Sequence, residues 1–444
     1  MHPRILSSFH EPTHWSAGGS PARFAASSEA TGEPPALQWR RITGQMRANF
    51  GVGALHEPVG QTSCLWVRAA SCRSKLGAGR SADQQAGSLP HIAEDHGRNA
   101  VARFGCLLAL AIPLGMIGFG STAAADFASG NAFSVPLGLD SPLPVPADNP
   151  LTPEKVALGG RLFFDPALSR SRSVSCSSCH LAGHGFGGNS SLPVGIDGRI
   201  GRRNAPTLLN RAYGESLFWD GRAATLEIQA LQPIQNPAEM GIRLEELLQR
   251  LGGDAEYRRA FKAAFQDGIS TQNVARALAS FQRTLLTGNS AVDRFRHGDV
   301  TALSDSSRHG LWLFESRGLC WKCHSGRNFT DEKLHNTGVG WGRTPGDFGR
   351  FEVTGKEEDR ARFKTPTLRD VAKTAPYMHD GSLAALREVV EFYSRGGTPN
   401  PNLDPIMKPL QLSETEIQSL VDFLEALTGE VAPEPQPKHE ERAL

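Results

Sequence analysis

Cys176-Ser177-Ser178-Cys179-His180 and Cys320-Trp321-Lys322-Cys323-His324 decide how this chain is to be read. Both are C-x-x-C-H. The spacing lets two thiols reach the two vinyl groups of one haem while the next imidazole binds its iron. Seven cysteines and 14 histidines in 444 residues would give about 0.003 such matches by chance, so two copies are not accidental. The other uses of the spacing are a redox pair or half of a zinc site. A zinc site would unite the motifs, yet they lie in separate parts of the chain and each carries its own histidine. The reading is two covalently bound haem c groups, attached at Cys176, Cys179, Cys320 and Cys323, with His180 and His324 on the irons. Haem c is attached outside the cytoplasm in bacteria, so export is expected.

Working outward, the length exceeds one ordinary core. The formal charge of +1 argues against nucleic acid as a partner. The remaining cysteines (Cys64, Cys72, Cys106) lie upstream, in a Gly-, Ser-, Pro- and Arg-rich stretch without helical or strand period. Residues 106–120 are an uncharged apolar run containing Pro113, preceded by Arg98 and Arg103 and followed by Ser121-Thr122-Ala123-Ala124-Ala125. That run is too short for a membrane span and fits a signal peptide cut near Ala125. Residues 1–125 are therefore read as a leader, with translation starting near Val101. The alternative is a disordered cytoplasmic extension. Without the leader, Lys+Arg falls to 36 and Asp+Glu to 39, a net −3.

In the mature chain residues 126–150 form an extended lead-in. Thr152-Pro153 opens a helix that stops before Asp165-Pro166. Helices are expected at 224–232, 243–252, 254–267, 271–287 and 303–317. Ser382 is expected to cap another, with Leu386, Val389, Val390 and Tyr393 on its apolar face, and Ser413-Glu414-Thr415-Glu416 to cap the last. Long loops span 181–221 and 325–380. The fold class is mainly α: two cytochrome c-like domains, 151–297 and 298–430, each around one haem, then a disordered tail, 431–444.

Around the motifs stand Arg203-Asn204-Ala205-Pro206-Thr207, Phe218-Trp219-Asp220-Gly221-Arg222, Asn236-Pro237-Ala238-Glu239-Met240, Phe363-Lys364-Thr365-Pro366-Thr367-Leu368-Arg369 and Ala375-Pro376-Tyr377-Met378-His379-Asp380-Gly381. In this set and order the chain resembles the bacterial di-haem cytochrome c peroxidases, a family that includes the MauG-type enzymes of methylamine utilisation. The resemblance implies that the His180 haem is peroxidatic and that Glu239 is the distal acid/base. It implies that Gln229 and Pro233 line the distal pocket and that Trp219 relays electrons between the haems. It also implies a calcium ion held by Asn204 and by the carbonyls of Thr374 and Pro376. Taken alone, Glu239 would read as a solvated carboxylate and Trp219 as core.

Two departures place the chain within that likeness. Many family members cap the resting peroxidatic haem with a histidine on the loop before the Arg-Asn-Ala-Pro segment, but residues 192–201 contain none. His184 is too close to the proximal ligand, so an iron open without prior reduction is expected. The second haem's methionine position is Tyr393, as in MauG-type enzymes, and a phenolate favours the higher oxidation states. Core packing for Tyr393, and Met378 as ligand, are the competing readings. Against a quinone-cofactor maturase, Gly318 stands where those enzymes carry a tryptophan, with Trp321 nearby.

The function read from this is a periplasmic di-haem oxidoreductase that reacts with hydrogen peroxide. Its electrons would come from a redox protein (a cytochrome c or a copper protein) or from a protein substrate being oxidised, with no stable membrane span. A detoxifying cytochrome c peroxidase and a non-enzymatic electron-transfer cytochrome are the alternatives.

Overall fold

The computed structural model describes residues 134–432, and these form one compact unit. The expected leader and residues 433–444 lie outside the described residues. Eleven α-helices and four two-residue strands are found among those described.

The first half opens with α1 (Pro153–Phe164), where Thr152 Oγ1 accepts from Lys155 N and Pro153 takes the first turn. A one-turn helix, α2 (Cys176–Cys179), carries the first motif. Then come α3 (Leu226–Gln235), α4 (Leu244–Gly253), α5 (Ala255–Ala264) and α6 (Thr271–Arg283). The second half holds α7 (Ala291–Arg296), α8 (Asp305–Glu315), α9 (Phe351–Thr354), α10 (Leu386–Ser394) and α11 (Glu414–Glu425). Its motif sits on a 3₁₀ turn, Cys320–Lys322.

Two hydrophobic clusters anchor the two halves. One joins Leu162, Phe163, Leu209, Ile234, Phe261 and Leu278; the other joins Leu313, Phe314, Phe329, Val390, Leu420 and Phe423. In each, the helix before the motif crosses the last long helix at backbone contact. A Cβ on Gly159 would stand 1.9 Å from Ala277 O, and one on Gly310 1.9 Å from Ser419 O. Glycine at the crossing lets α1 meet α6, and α8 meet α11, closely enough for the phenylalanines around them to interlock.

Several expectations need correction. The helix expected over 271–287 ends at Arg283, because Asn210 captures the Thr287 backbone with both ends of its amide, at 2.9 and 3.0 Å. Thr287–Gly288 (β1) then pairs antiparallel with Glu430–Val431 (β4), so residues 431 and 432 are ordered rather than tail. Leu334–His335 (β2) pairs with Phe363–Lys364 (β3). Ser382 does not cap a helix: its N–H donates to Asp380 Oδ1 in a turn, and α10 starts at Leu386 after Ala385. Helix α7, read with the first domain, contributes Val292 to the second cluster.

Candidate haem sites and the cavity beside His180

The two motifs are built alike. His180 Nδ1 lies 3.0 Å from Phe186 O, and His324 Nδ1 lies 2.9 Å from Phe329 O. A carbonyl accepts, so Nδ1 carries the proton and Nε2 keeps its lone pair for a metal. Burial lowers both histidine pKa values, which favours the neutral imidazole a metal needs. None of the four motif cysteines is in a disulfide, so each sulfur is available to bond a haem vinyl group. Burial pushes Cys176 and Cys320 up to about 12 and Cys179 up to about 11.

A cavity of about 500 Å³ opens beside the first motif, walled by Cys176, Cys179 and His180 on one side and by α3 and the loop after it. Its apolar lining includes Phe163, Val174, Leu208 and Met240. A large, mostly apolar cavity with two cysteine sulfurs and an oriented imidazole in its wall fits a covalently attached haem. A second cavity of about 350 Å³ lies beside His324, with Phe314, Phe329 and Trp321 in its wall.

Glu239, Trp219, Gln229 and Pro233 all line the first cavity, so residues from two motifs and from α3 are brought together. Glu239 accepts a 2.6 Å hydrogen bond from Asn236 Nδ2. Burial raises its pKa, opposed by that bond and by the Arg222 charge. Trp219 Nε1 donates to Asn204 O at 2.8 Å. Its ring meets His379 edge-on with centroids 6.4 Å apart, and His379 stacks on Phe363 at 3.6 Å. Trp219 is thereby fixed at the seam between the halves.

Residues 192–201 form a small hairpin closed by the Val194–Ile200 bridge. Ile196 is buried and its N–H donates to Glu239 O at 2.9 Å. Among the described residues, His180 is the sole imidazole in the cavity wall. Tyr393, on α10, is pushed upward in pKa by burial and by the nearby Cys323 and Cys320 sulfurs, against a hydrogen bond with Thr337. Gly318 is confined: a Cβ there would stand 2.7 Å from Leu313 O.

The segments expected to supply calcium ligands touch at the same seam, through Asn204 and His379. Asn204 N donates to His379 O at 2.7 Å, which lays the loop from Thr374 to His379 against Asn204. Asn204 Nδ2 is engaged by Ser190 O and Ser191 O. Among the described residues, none donates to Asn204 Oδ1 or to the carbonyls of Thr374 and Pro376. Three neutral oxygens suit a hard cation that keeps several waters.

The polar wall of the cavity was not legible in the sequence. Arg203 is gripped by Asp220 and by Asp347 from the other half, at 2.5 and 2.7 Å. Arg211 and Lys364 share the buried Glu332, and burial lowers Lys364 to about 8. These are contacts between residues far apart in the chain. A second cluster, Cys323, Asp331 and His335, is close enough to hold a metal. Both His335 nitrogens, however, are already hydrogen-bonded, to Asp404 at 2.6 Å and to Asp331 at 3.0 Å.

A helical protein with two C-x-x-C-H turns, one beside a large cavity holding a carboxyl group, is a di-haem c-type cytochrome built for redox catalysis. Comparison with known proteins then gives the family. The profile described as di-haem cytochrome c peroxidase matches residues 153–301. The chain is 43% identical to a methylamine utilization protein MauG of Methylorubrum extorquens over 65% of this chain and 82% of that one. It is 37% identical to the cytochrome-c peroxidase IdrP1 of a Pseudomonas species over 66% and 86%. A MauG-like protein associated with microbial copper homeostasis superposes with TM-score 0.61 at 34% identity, over 66% of this chain and 94% of the other. The chain belongs to the di-haem cytochrome c peroxidase and MauG family. It is a peroxidase-type oxidoreductase with two haem c groups, acting on peroxide with a redox donor. No helix among the described residues is long and apolar enough to cross a membrane.

Proposed function

We propose that this protein is a periplasmic enzyme of the MauG-like branch, reacting with hydrogen peroxide in its oxidised state and drawing electrons from a protein. The observation that carries this reading is the cavity wall, where His180 is the sole imidazole among the described residues and Glu239 stands with Gln229 and Pro233. No histidine of the 192–201 loop is present to close the site, and that loop is tied to Glu239 through Ile196. Haem c supplies the redox-active iron and the capacity to hold oxidising equivalents.

Glu239 acts as the acid/base. Its carboxylate takes the proton from one peroxide oxygen and returns it to the departing one, which is what cleavage into unequal halves requires. Burial raises its pKa above the ordinary glutamate value, which makes it a better proton acceptor than a solvated carboxylate. Gln229 and Pro233 shape the pocket around the carboxylate. Trp219 carries electrons between the two sites, and its bond to Asn204 O fixes the indole plane. Tyr393 would be the residue that holds the iron on the His324 side; burial and the nearby sulfurs favour its neutral phenol, so the metal's charge would supply the phenolate. Asn204, Thr374 and Pro376 bind calcium and so tie the halves at the Trp219 seam. Export follows from the motif chemistry and from the apolar run at 106–120. The electron donor is a small redox protein or an oxidisable side chain of a protein substrate. Gly318, with no room for a larger side chain, leaves any maturase role without the family's surface tryptophan.

The test is to mix the oxidised protein, as isolated, with one equivalent of peroxide and follow the optical and EPR spectra. Prompt loss of a high-spin ferric signal is expected. No reaction until one electron has been added would overturn the reading in favour of a detoxifying cytochrome c peroxidase with a capped site. Glu239→Gln should slow the peroxide reaction by about 10²–10⁴-fold, the range general acid/base groups contribute.

A further inference from the structure

The loop that carries Glu239 is organised around one side chain to which neither the motif chemistry nor the family resemblance gives a role. Asn236 ends α3, and every polar group it has is engaged. Its N–H donates to Gln232 O at 3.0 Å, and its carbonyl accepts from Glu239 N and Gly241 N, both at 2.9 Å. Its side-chain Oδ1 accepts from Ala238 N at 3.0 Å, and Nδ2 donates to Glu239 Oε1 at 2.6 Å. The orientation of the amide is dictated, because only an oxygen can take the Ala238 N–H, and the NH₂ must then face the carboxylate. A short bond from a neutral amide to a carboxylate is a charge-assisted one, and it favours the ionised form.

We propose that Asn236 is a positioning residue for the peroxide reaction, pinning Oε1 of Glu239 so that Oε2 is the oxygen that exchanges protons with substrate. The proposal rests on the reading of Glu239 as acid/base and adds to it the residue that aims the carboxyl group. The backbone makes the aim rigid. Ile196 N–H holds the Glu239 carbonyl, and Gly195 passes so close that a Cβ would stand 2.1 Å from Ala238 O. With its main chain clamped and one oxygen bound, the carboxyl group has a single free acceptor facing the cavity. The other groups bearing on Glu239 are the Arg222 guanidinium and the Cys176 and Cys179 sulfurs. Arg222 is held by Asp220 and Gln232, and the sulfurs become thioethers in the holoprotein and do not titrate.

The sign of the expected effect follows from this. Glu239 must be ionised to take a proton, so the rate falls as pH drops through its pKa. Removing the Asn236 donor disfavours the carboxylate and moves that acid limb upward. Asn236→Asp keeps an oxygen for Ala238 N while replacing the donor with a second carboxylate. Asn236→Ser keeps a smaller acceptor and adds no charge. The experiment is the pH profile of the second-order rate constant of the oxidised holoenzyme with peroxide, with haem content and the thermal midpoint measured alongside. Asn236→Asp should move the acid limb up by at least one unit, so that below the limb the variant is about tenfold slower, while the alkaline plateau is recovered. Asn236→Ser should move it in the same direction by less. A lowered plateau with the limb in its wild-type position, in both variants, would show a merely structural role and overturn the proposal. Glu239→Gln separates the two readings: if it keeps the rate and the limb, the acid/base assignment itself has failed. If it loses both while Asn236→Asp leaves the limb unmoved, only the role of Asn236 has.

Discussion

The two halves of the molecule are one plan used twice with opposite results. α1 and α8 each cross a long helix at a glycine, each precedes a C-x-x-C-H turn, and each motif histidine donates an Nδ1–H hydrogen bond to a phenylalanine carbonyl. A Pro-Thr-Leu segment follows in both. Thr207 Oγ1 bonds Gly185 O, and Thr367 Oγ1 bonds Asn328 O. The Phe218-Trp219-Asp220-Gly221 turn matches Met378-His379-Asp380-Gly381, with the first and last residues at positive φ in each. Trp219 and His379 are thus counterparts, and their rings meet at the seam. The difference lies in the next helix. Pro233 and Tyr393 are each the eighth residue of α3 and α10. A proline side chain has no atom that can ligate a metal, whereas a tyrosine side chain has its phenol oxygen. The first half then runs into the Glu239 loop, while the second turns away through Gly396 and Gly397, both at positive φ. On the proposed function, one scaffold yields a site for substrate and a site for storing charge, with the choice made at one helical position and the loop behind it.

The largest effect should come from erasing that choice. Pro233→Met puts a ligating side chain where the second half keeps Tyr393. If it closes the site in 99 molecules of 100, the rate with peroxide falls about a hundredfold, because reactivity scales with the competent fraction. The high-spin EPR signal should fall in parallel. The reverse change, Tyr393→Phe, should open the His324 side and add a second high-spin signal. If Pro233→Met binds peroxide as fast as wild type with its high-spin signal intact, the equivalence of the two positions is wrong.

A smaller effect is expected at the seam. Trp219→Phe keeps the ring packing against His379 but removes both the indole and its bond to Asn204 O. The first reaction with peroxide should keep its rate, while the optical change at the His324 site lags behind that at the His180 site. Simultaneous changes at both sites in the variant would mean that electrons cross by another route.

What could be read from the sequence divides along the same lines. Local signals were legible: Thr152-Pro153 starts α1, and Ser413 with Glu416 forms the capping box of α11. The motifs announced the cofactors because their chemistry sits within five consecutive residues. The end of α6 was not legible, since it is set by Asn210, far away in the chain, binding Thr287. Ser382 carried a capping signal but serves a turn closed by Asp380. The grip of Asp220 and Asp347 on Arg203, and of Asn236 on Glu239, depends on where loops without periodicity come to rest. The two motifs announced the duplication, but the pairing of Pro233 with Tyr393 and of Trp219 with His379 was hidden, because those counterparts share positions rather than residues.

The helix crossings give the smallest effect and the cleanest check on the duplication. Gly159→Ala would drive a Cβ against Ala277 O and the Phe281 Cβ, and Gly310→Ala would do the same against Ser419 O and the Phe423 Cβ. Neither glycine lies in the left-handed region, so the penalty is overpacking at a backbone contact rather than strain in φ. Each substitution should destabilise by about 1–3 kcal/mol, offset slightly by alanine's better helix propensity. If the halves are truly equivalent, denaturant unfolding of the two variants should give matching losses while haem content and the peroxide rate stay at wild-type values. A large loss at Gly159 with none at Gly310 would mean that the second half repacks where the first cannot. The likeness between the halves would then be one of outline, without a common core.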